Sequence, residues 1–269
     1  MASSTEEQNQ NRYKALIERI FFKGYRRGKS EFGFKRDELE TSAKALDIKL
    51  PKNLGDVLYS IRYRTPLPES ILSTQPKGME WIIEGAGRAQ YTFKLVRISR
   101  IIPNTKLITI KIPDSTPEII SAYALSDEQA LLAKVRYNRL VDVFLGIASY
   151  SLQNHLRTTV KGIGQIEIDE IYVGVDRQGR QFVIPIQAKG GSDQLSTVQS
   201  KQDIACCAEK FPGLLCRSLS TQFIADDMIA MFELGLENGD VRIVEERHYR
   251  LVPADQISQD DLQTYSVRT

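Results

Sequence analysis

The sequence predicts an α+β protein in two parts: a basic, mostly helical front part closed by a β-hairpin, then a central mixed sheet flanked by helices. Three observations carry this. Apolar residues recur at helical spacing as far as Ile61. Beyond Trp81, strand-like apolar runs are separated by polar and glycine-bearing turns. Charge also divides along the chain. Residues 1–100 hold 19 Lys/Arg against 12 Asp/Glu, a balance of +7, while residues 101–269 hold 17 against 22, a balance of −5. The net charge of +2 hides that division, which points to a front part that meets a polyanion.

The front part reads as follows. Residues 1–10 are expected to be a disordered tail. From 11 to 24, Tyr13, Ile17, Ile20 and Phe21 fall at helical spacing. The basic turn Tyr25-Arg26-Arg27-Gly28-Lys29 leads to a second helix from Lys35 to about Leu46. A third helix is expected from Pro51, a residue suited to a first turn, with Leu54, Val57, Leu58 and Ile61 on its apolar side. Lys52, Asn53, Arg62 and Arg64 occupy its other positions. After a connector from Pro66 to Pro76, Trp81-Ile82-Ile83 and Tyr91 to Val96 read as a hairpin turning at Glu84 to Arg88. Three helices and a hairpin are the order of a winged-helix module. Its third helix would enter the major groove of double-stranded DNA while Arg88 at the hairpin tip touches phosphate. A small structural or dimerisation domain over 11–100 is the bland alternative.

Residues 101–125 read as a connector with an edge strand, Leu107 to Ile112, and 126–269 as a second domain. Ser126-Asp127-Glu128-Gln129 fits a capping box. It opens a long helix to about Leu156, with Gln153, Asn154, His155 and Arg157 at its polar end. Then come a strand over 165–175, a turn from Asp176 to Arg180, a strand over 181–189 and Gly190-Gly191. A helix from about Asp193 to Lys210, carrying Gln199 and Gln202, and a strand over 215–223 follow. The turn Glu237-Asn238-Gly239-Asp240 joins two more strands.

Several classes are excluded. Cys206 and Cys207 are adjacent and Cys216 forms no C-x-x-C pair, so neither a disulfide framework nor a zinc knuckle is supported; the neighbouring pair is expected in the core. The two histidines, His155 and His248, are too far apart for a His-rich metal site. The opening MASSTEEQNQ is unlike a targeting peptide, and no apolar run reaches membrane-spanning length. A cytoplasmic protein without membrane contact is expected. No phosphate-loop signature is present, so nucleotide triphosphates are not expected as ligands.

Chemistry concentrates in the two central strands. Glu167 and Asp169 share a face by period-2 alternation, and beyond Asp169 the apolar pattern inverts at Ile171, Val173 and Val175. A buried strand or a bulge near Asp169-Glu170 explains the inversion. On the second strand, Gln187 and Lys189 end the apolar run Val183 to Ile186 on one face. Burying such groups is costly unless they are paired or hold a metal. A salt-bridged sheet edge pairing Asp169 with Lys189 is the plain alternative.

Residues 160–210 resemble the PD-(D/E)XK nuclease core: helix, acidic hairpin, acceptor-x-Lys strand, helix. The variant Gln187-Ala188-Lys189 is similar to that of Mrr-like restriction endonucleases. The resemblance implies a restriction-endonuclease-like fold and a homodimeric, Mg²⁺-dependent endonuclease of double-stranded DNA, with Mn²⁺ as a substitute. It implies that Asp169, Gln187 and the Ala188 carbonyl hold the metal and that Lys189 orients water or stabilises charge. Glu167 is an additional catalytic candidate, and Glu170 takes its place if the strand bulges. Gln187 departs from the usual carboxylate and removes one negative charge. A DNA-binding regulator with an inactivated nuclease-like core is the competing reading, and a nuclease of RNA or branched DNA a third.

Overall fold

The computed structural model describes residues 2–63, 65–97, 101–123, 127–190, 195–225 and 228–266, with side chains from 12 onward other than those of Tyr63 and Asp127. The fold is α+β, with a central mixed sheet flanked by helices. Two compact units are present: Met1–Ser99 with Thr159–Gln165, and Arg100–Thr158 with Ile166–Thr269.

In the first unit, α1 (Ala2–Gly24) precedes β1 (Glu31–Lys35), α2 (Asp37–Leu46), α3 (Leu54–Tyr63) and the short α4 (Glu69–Leu72). The hairpin β2 (Met79–Gly85) and β3 (Gln90–Arg97) follows. The strands make a sheet in the order β1-β3-β2. Leu16, Ile17, Ile20 and Phe21 of α1 are buried against Leu39, Val57, Leu58, Trp81 and Phe93. The Phe21 ring is the hub, with centroids of Phe32, Trp81 and Phe93 at 5.2, 5.2 and 5.1 Å. Such aromatic contacts contribute beyond their buried area.

Three expectations change here. Helix α1 already runs from Ala2, through the segment expected to be a disordered tail, because 2–11 contain no Gly or Pro to stop propagation from the packed turns. Between the first two helices stands β1, whose alternating pattern buries Phe32 and Phe34. Helix α3 starts at Leu54, not Pro51. Asn53 accepts from Gly55 N at 3.0 Å and donates to Asp56 Oδ1 at 2.8 Å, which makes it the cap.

The second unit holds β4 (Thr109–Pro113), α5 (Glu118–Tyr123), α6 (Asp127–Tyr137), α7 (Leu140–Leu145), most of β5 (Ala148–Val160) and of β6 (Gly164–Val175), β7 (Gln181–Lys189) and α8 (Thr197–Lys210). It ends with β8 (Leu215–Cys216), β9 (Ser218–Ala225), β10 (Met228–Glu237), β11 (Asp240–Val252) and α9 (Gln259–Ser266). The sheet order is β4-β11-β10-β9-β7-β6-β5. Neighbours β6 and β7 are antiparallel, while β7 and β9 are parallel across α8. Leu131, Leu132, Val135 and Phe144 pack on Ile184, Ile186 and Ala188 to form the main core.

The long helix expected over 126–156 is not formed. It breaks at Arg139, with φ 51, and again at Gly146, with φ 66, and the chain from Ala148 is strand. Gly146 is the left-handed cap of α7, its N–H bonding Asp142 O at 2.8 Å. Gln153, Asn154, His155 and Arg157 therefore lie on β5, not on a helix end. Ser126 of the expected capping box lies outside the described residues. The remaining turns fall as expected at Asp176–Arg180 and Asn238-Gly239.

Helix α9, absent from the sequence reading, covers the exposed edge of β4. Lys111 N donates to the Tyr265 hydroxyl at 2.9 Å, and Lys111 Nζ donates to Asp261 Oδ2 at 2.9 Å. Ser258 and Asp261 cap one another, Ser258 N donating at 2.8 Å and receiving Asp261 N at 3.1 Å on its hydroxyl. The Lys111 ammonium and then the Ser258 donors hold the Asp261 carboxyl down at about 2. An otherwise bare edge N–H is thereby satisfied. Asp261→Ala is expected to speed amide exchange across 259–266 at neutral pH. In the parent this carboxylate's contribution is complete above its ordinary value of 3.8 and is lost as pH falls through about 2, so the two proteins converge only there. Equal protection at neutral pH would refute the docking.

Candidate active site

Strands β6 and β7 pair from Val175↔Gln181 up to Glu170↔Ile186, and the ladder stops there. On its other side β7 stays paired to β9, from Ile186↔Leu219 to Lys189↔Gln222. One strand is thus anchored while its neighbour departs, and the backbone groups left in the opening are taken by side chains. Asp169 Oδ2 accepts from Ala188 N at 2.8 Å. Gln187 Nε2 donates to the Glu167 carbonyl at 3.1 Å. Each residue reaches across to the opposite strand, so Asp169 and Gln187 both bridge the open end.

Gln187 is only 2 % exposed. Its Nε2 also lies 3.2 and 3.0 Å from Asp203 Oδ1 and Oδ2, on α8. Its Oε1 is buried without a hydrogen-bond partner among the described residues. Lys189 Nζ lies 3.0 Å from Glu128 Oε1 in the first turn of α6. Lys189 is mostly buried and Glu128 is exposed, so the ammonium is held at the rim of the opening.

The electrostatics reflect the crowding. Burial pushes the Asp169 carboxyl up, against the Ala188 N–H and the Lys189 charge, and the Glu128 carboxylate pushes it further. Asp203 is fully buried and raised well above the usual carboxylate range, with the Gln187 N–H opposing and the Asp169 charge reinforcing the shift. The Asp169 carboxyl therefore feels the Lys189 and Glu128 charges, and the Asp203 carboxyl those of Asp169 and Lys189.

Other expected participants stand elsewhere. The Glu167 side chain turns to β5, 3.3 Å from Arg157 Nη2 and 3.8 Å from His155 Nδ1, so its backbone, not its carboxylate, serves the opening. Glu170 does not substitute for it. It shares the face of Ile186, fully buried, where Arg136 Nη2 and Nε lie 2.9 and 3.0 Å from Oε1 and Ser151 Oγ lies 2.6 Å away. Gln129 Nε2 lies 2.8 Å from His155 Nε2. On α8, Gln202 is buried and Gln199 half-buried, while Cys206 and Cys207 are core residues as expected. Gly190 is buried, and Gly191 lies outside the described residues.

In the first unit, Lys52 and Asn53 are exposed immediately before α3, and Arg88 is exposed in the β2–β3 turn. Arg62 is turned inward, its Nε donating to Ile83 O at 3.0 Å, so it ties α3 to β2. Arg64 lies outside the described residues.

Sequence reasoning missed Asp203 and Glu128. Asp203 shares a helical stripe with Ser200, Cys206 and Cys207, an acidic residue on a buried face, which is a readable signal. Glu128 was absorbed into the capping pattern, and nothing local links it to Lys189.

Glu170→Ala is expected to destabilise the fold by about 2–3 kcal/mol, because it strips Arg136 and Ser151 of their buried acceptor while Arg136 keeps some solvent. A urea midpoint lowered at unchanged m-value would show it. A parent-like midpoint would mean that the pair contributes nothing.

The α+β architecture with its central mixed sheet is common to many chemistries. Set beside protein-family models, curated proteins and solved structures, the chain matches none of them.

Proposed function

We propose that this chain is a Mg²⁺-dependent endonuclease that hydrolyses phosphodiester bonds of double-stranded DNA, of restriction or genome-defence type. The observation that carries the reading is the opening of β6 from β7, where Asp169, Gln187 and Lys189 sit with Glu128 at the rim. The order of elements agrees with it. Helix α6, the meander β5-β6-β7, helix α8 and the parallel strand β9 fit the outline of a PD-(D/E)XK core. The first unit's helices and its β1-β3-β2 sheet fit a winged helix, with Lys52 and Arg88 exposed toward a polyanion.

The donor set suits a hard cation. Among the described residues no three His, Cys, Asp or Glu side chains gather as a metal cluster. Here the donors would be mixed: the Asp169 carboxylate and Gln187 Oε1, which has no partner among the described residues, with the Ala188 carbonyl proposed as the third. All are oxygens, the type Mg²⁺ prefers, and a buried oxygen with no partner gains most from a cation. When bound, Mg²⁺ supplies polarisation of the phosphate and a lowered pKa for the attacking water.

The chain's own groups do the rest. Asp169 and Gln187 would hold the cation at a fixed place relative to the sheet. Lys189 brings its ammonium against the negative charge that grows on phosphorus, and Glu128 holds that ammonium in place before DNA arrives. A homodimer places two such sites on antiparallel strands, as cutting a duplex requires.

Lys189→Ala is expected to reduce plasmid cleavage at least a hundredfold, roughly the loss of one charge-stabilising group, while duplex binding stays within about twofold. Digestion with Mg²⁺, Mn²⁺ and EDTA, on methylated and unmethylated plasmid, reads it. Equal cleavage by mutant and parent would remove the assignment. Intact plasmid in both metals, with salt-dependent duplex binding retained, would replace the enzyme with a DNA-binding regulator.

A further inference from the structure

The amide of Gln187 has two possible orientations, and its surroundings permit one. Its nitrogen faces three oxygens: both carboxylate oxygens of Asp203 and the carbonyl of Glu167. Turned over, Oε1 would face the same three. A protonated Asp203 would relieve part of that repulsion, but a backbone carbonyl never donates, so one acceptor always opposes the turned amide. The observed orientation uses both N–H bonds and leaves Oε1 without a partner among the described residues. An unsatisfied buried amide oxygen is tolerated only where something compensates for it.

Among the described residues, Asp203 accepts hydrogen bonds from this nitrogen alone, through both of its carboxylate oxygens. It projects from the buried stripe of α8, whose cap is Ser196 accepting from Val198 N. A fully buried carboxyl group on that face is costly and contributes nothing to the apolar core around Cys206 and Cys207. Its one evident return is control of the Gln187 side chain.

We infer that Asp203 is a positioning residue, which holds the Gln187 amide nitrogen toward α8 and so leaves Oε1 facing away from α8 as a ligand oxygen for the divalent cation. The inference rests on the metal-dependent reading above and deepens it. Asp203 acts through Gln187 and does not itself touch the cation. It explains how a neutral side chain serves at a position where a carboxylate needs no orienting. A carboxylate offers an oxygen whichever way it turns, whereas an amide does so only when it is locked. Groups that orient ligands in this way generally change metal affinity about 10- to 100-fold when removed.

The test uses the full chain without DNA and has two readouts. The first is hydrogen exchange of the Gln187 side-chain NH₂, identified in ¹⁵N spectra by its loss in Gln187→Ala. The second is Mn²⁺ affinity, read from the free-ion paramagnetic resonance signal. In the parent the NH₂ pair is expected to exchange slowly. Asp203→Ala is expected to speed its exchange and to weaken Mn²⁺ binding ~10- to 100-fold, as Gln187→Ala does. The double variant is expected to bind no more weakly than Gln187→Ala alone, since the two act as a unit. Asp203→Asn, which keeps the volume and one acceptor oxygen, is expected to fall between and guards against a variant that fails to fold.

Unchanged NH₂ exchange in Asp203→Ala, or an equal loss of Mn²⁺ affinity in the Gln187→Ala background, would overturn the positioning role. A parent that holds no Mn²⁺ while Asp203→Ala still frees the NH₂ overturns the metal reading and leaves the lock standing. The two failures are therefore told apart.

Discussion

The rest of the second unit depends on a single break in the sheet. A β-ladder satisfies backbone groups automatically, and ending one inside a buried sheet leaves donors and acceptors that must be satisfied some other way. Beyond Glu170↔Ile186 that is done by two side chains, Asp169 on the Ala188 N–H and Gln187 on the Glu167 carbonyl. The residues best placed for chemistry are therefore also those that keep the opened sheet stable. The opening is sustained from the other side, because β7 remains paired with β9 through Lys189. Without that second ladder, β7 would have no reason to run straight past the point where β6 leaves it.

The same break sorts the acidic residues. Neighbours on a strand face opposite ways, so Asp169 enters the opening while Glu170 is committed to Arg136 on the face of the main core. Arg136 sits on the side of α6 that packs on the sheet, and Glu128 sits one helical stretch earlier, at the end where Lys189 emerges. One helix thus supplies a cation to the structural carboxylate and an anion to the candidate catalytic ammonium. Glu167, next along, is already at the margin, where Arg157 and His155 of β5 can reach it. Glu170 and Glu167 each have a cationic partner, and Asp169 between them is left to the Ala188 N–H.

How much was legible follows from how local each signal is. The strands over 164–175 and 181–189, the turn between them and the Gln187–Lys189 parity were readable, since period-2 alternation and turn residues act over a few positions. The helix drawn through 126–156 failed because Leu140, Phe144, Ile147 and Tyr150 keep apolar spacing across two left-handed residues, and spacing does not register a single break at Gly146. β1 was missed because Phe32 and Phe34 give only two beats of the pattern. Arg62 reads as a groove contact in sequence but is bound to Ile83, a partner 21 positions away. Asp203 and Glu128 belong to this last class: their meaning lies in Gln187 and Lys189, which only the folded sheet brings to them.

Gln187 and Asp203 are two halves of one arrangement. A glutamate at 187 would set a carboxylate against Asp203 and the Glu167 carbonyl, acceptor against acceptors, at a position only 2 % exposed in Gln187. Like-charged carboxylates at such range cannot both stay ionised. The neutral amide removes that conflict and adds the two donors that both neighbours need. With Asp203 on α8, an amide is therefore the side chain the opening accepts, and Asp203 is tolerated in a buried helix face because that amide is there. Neither residue is explained alone: the nitrogen satisfies the fold, and the oxygen is left without a partner among the described residues.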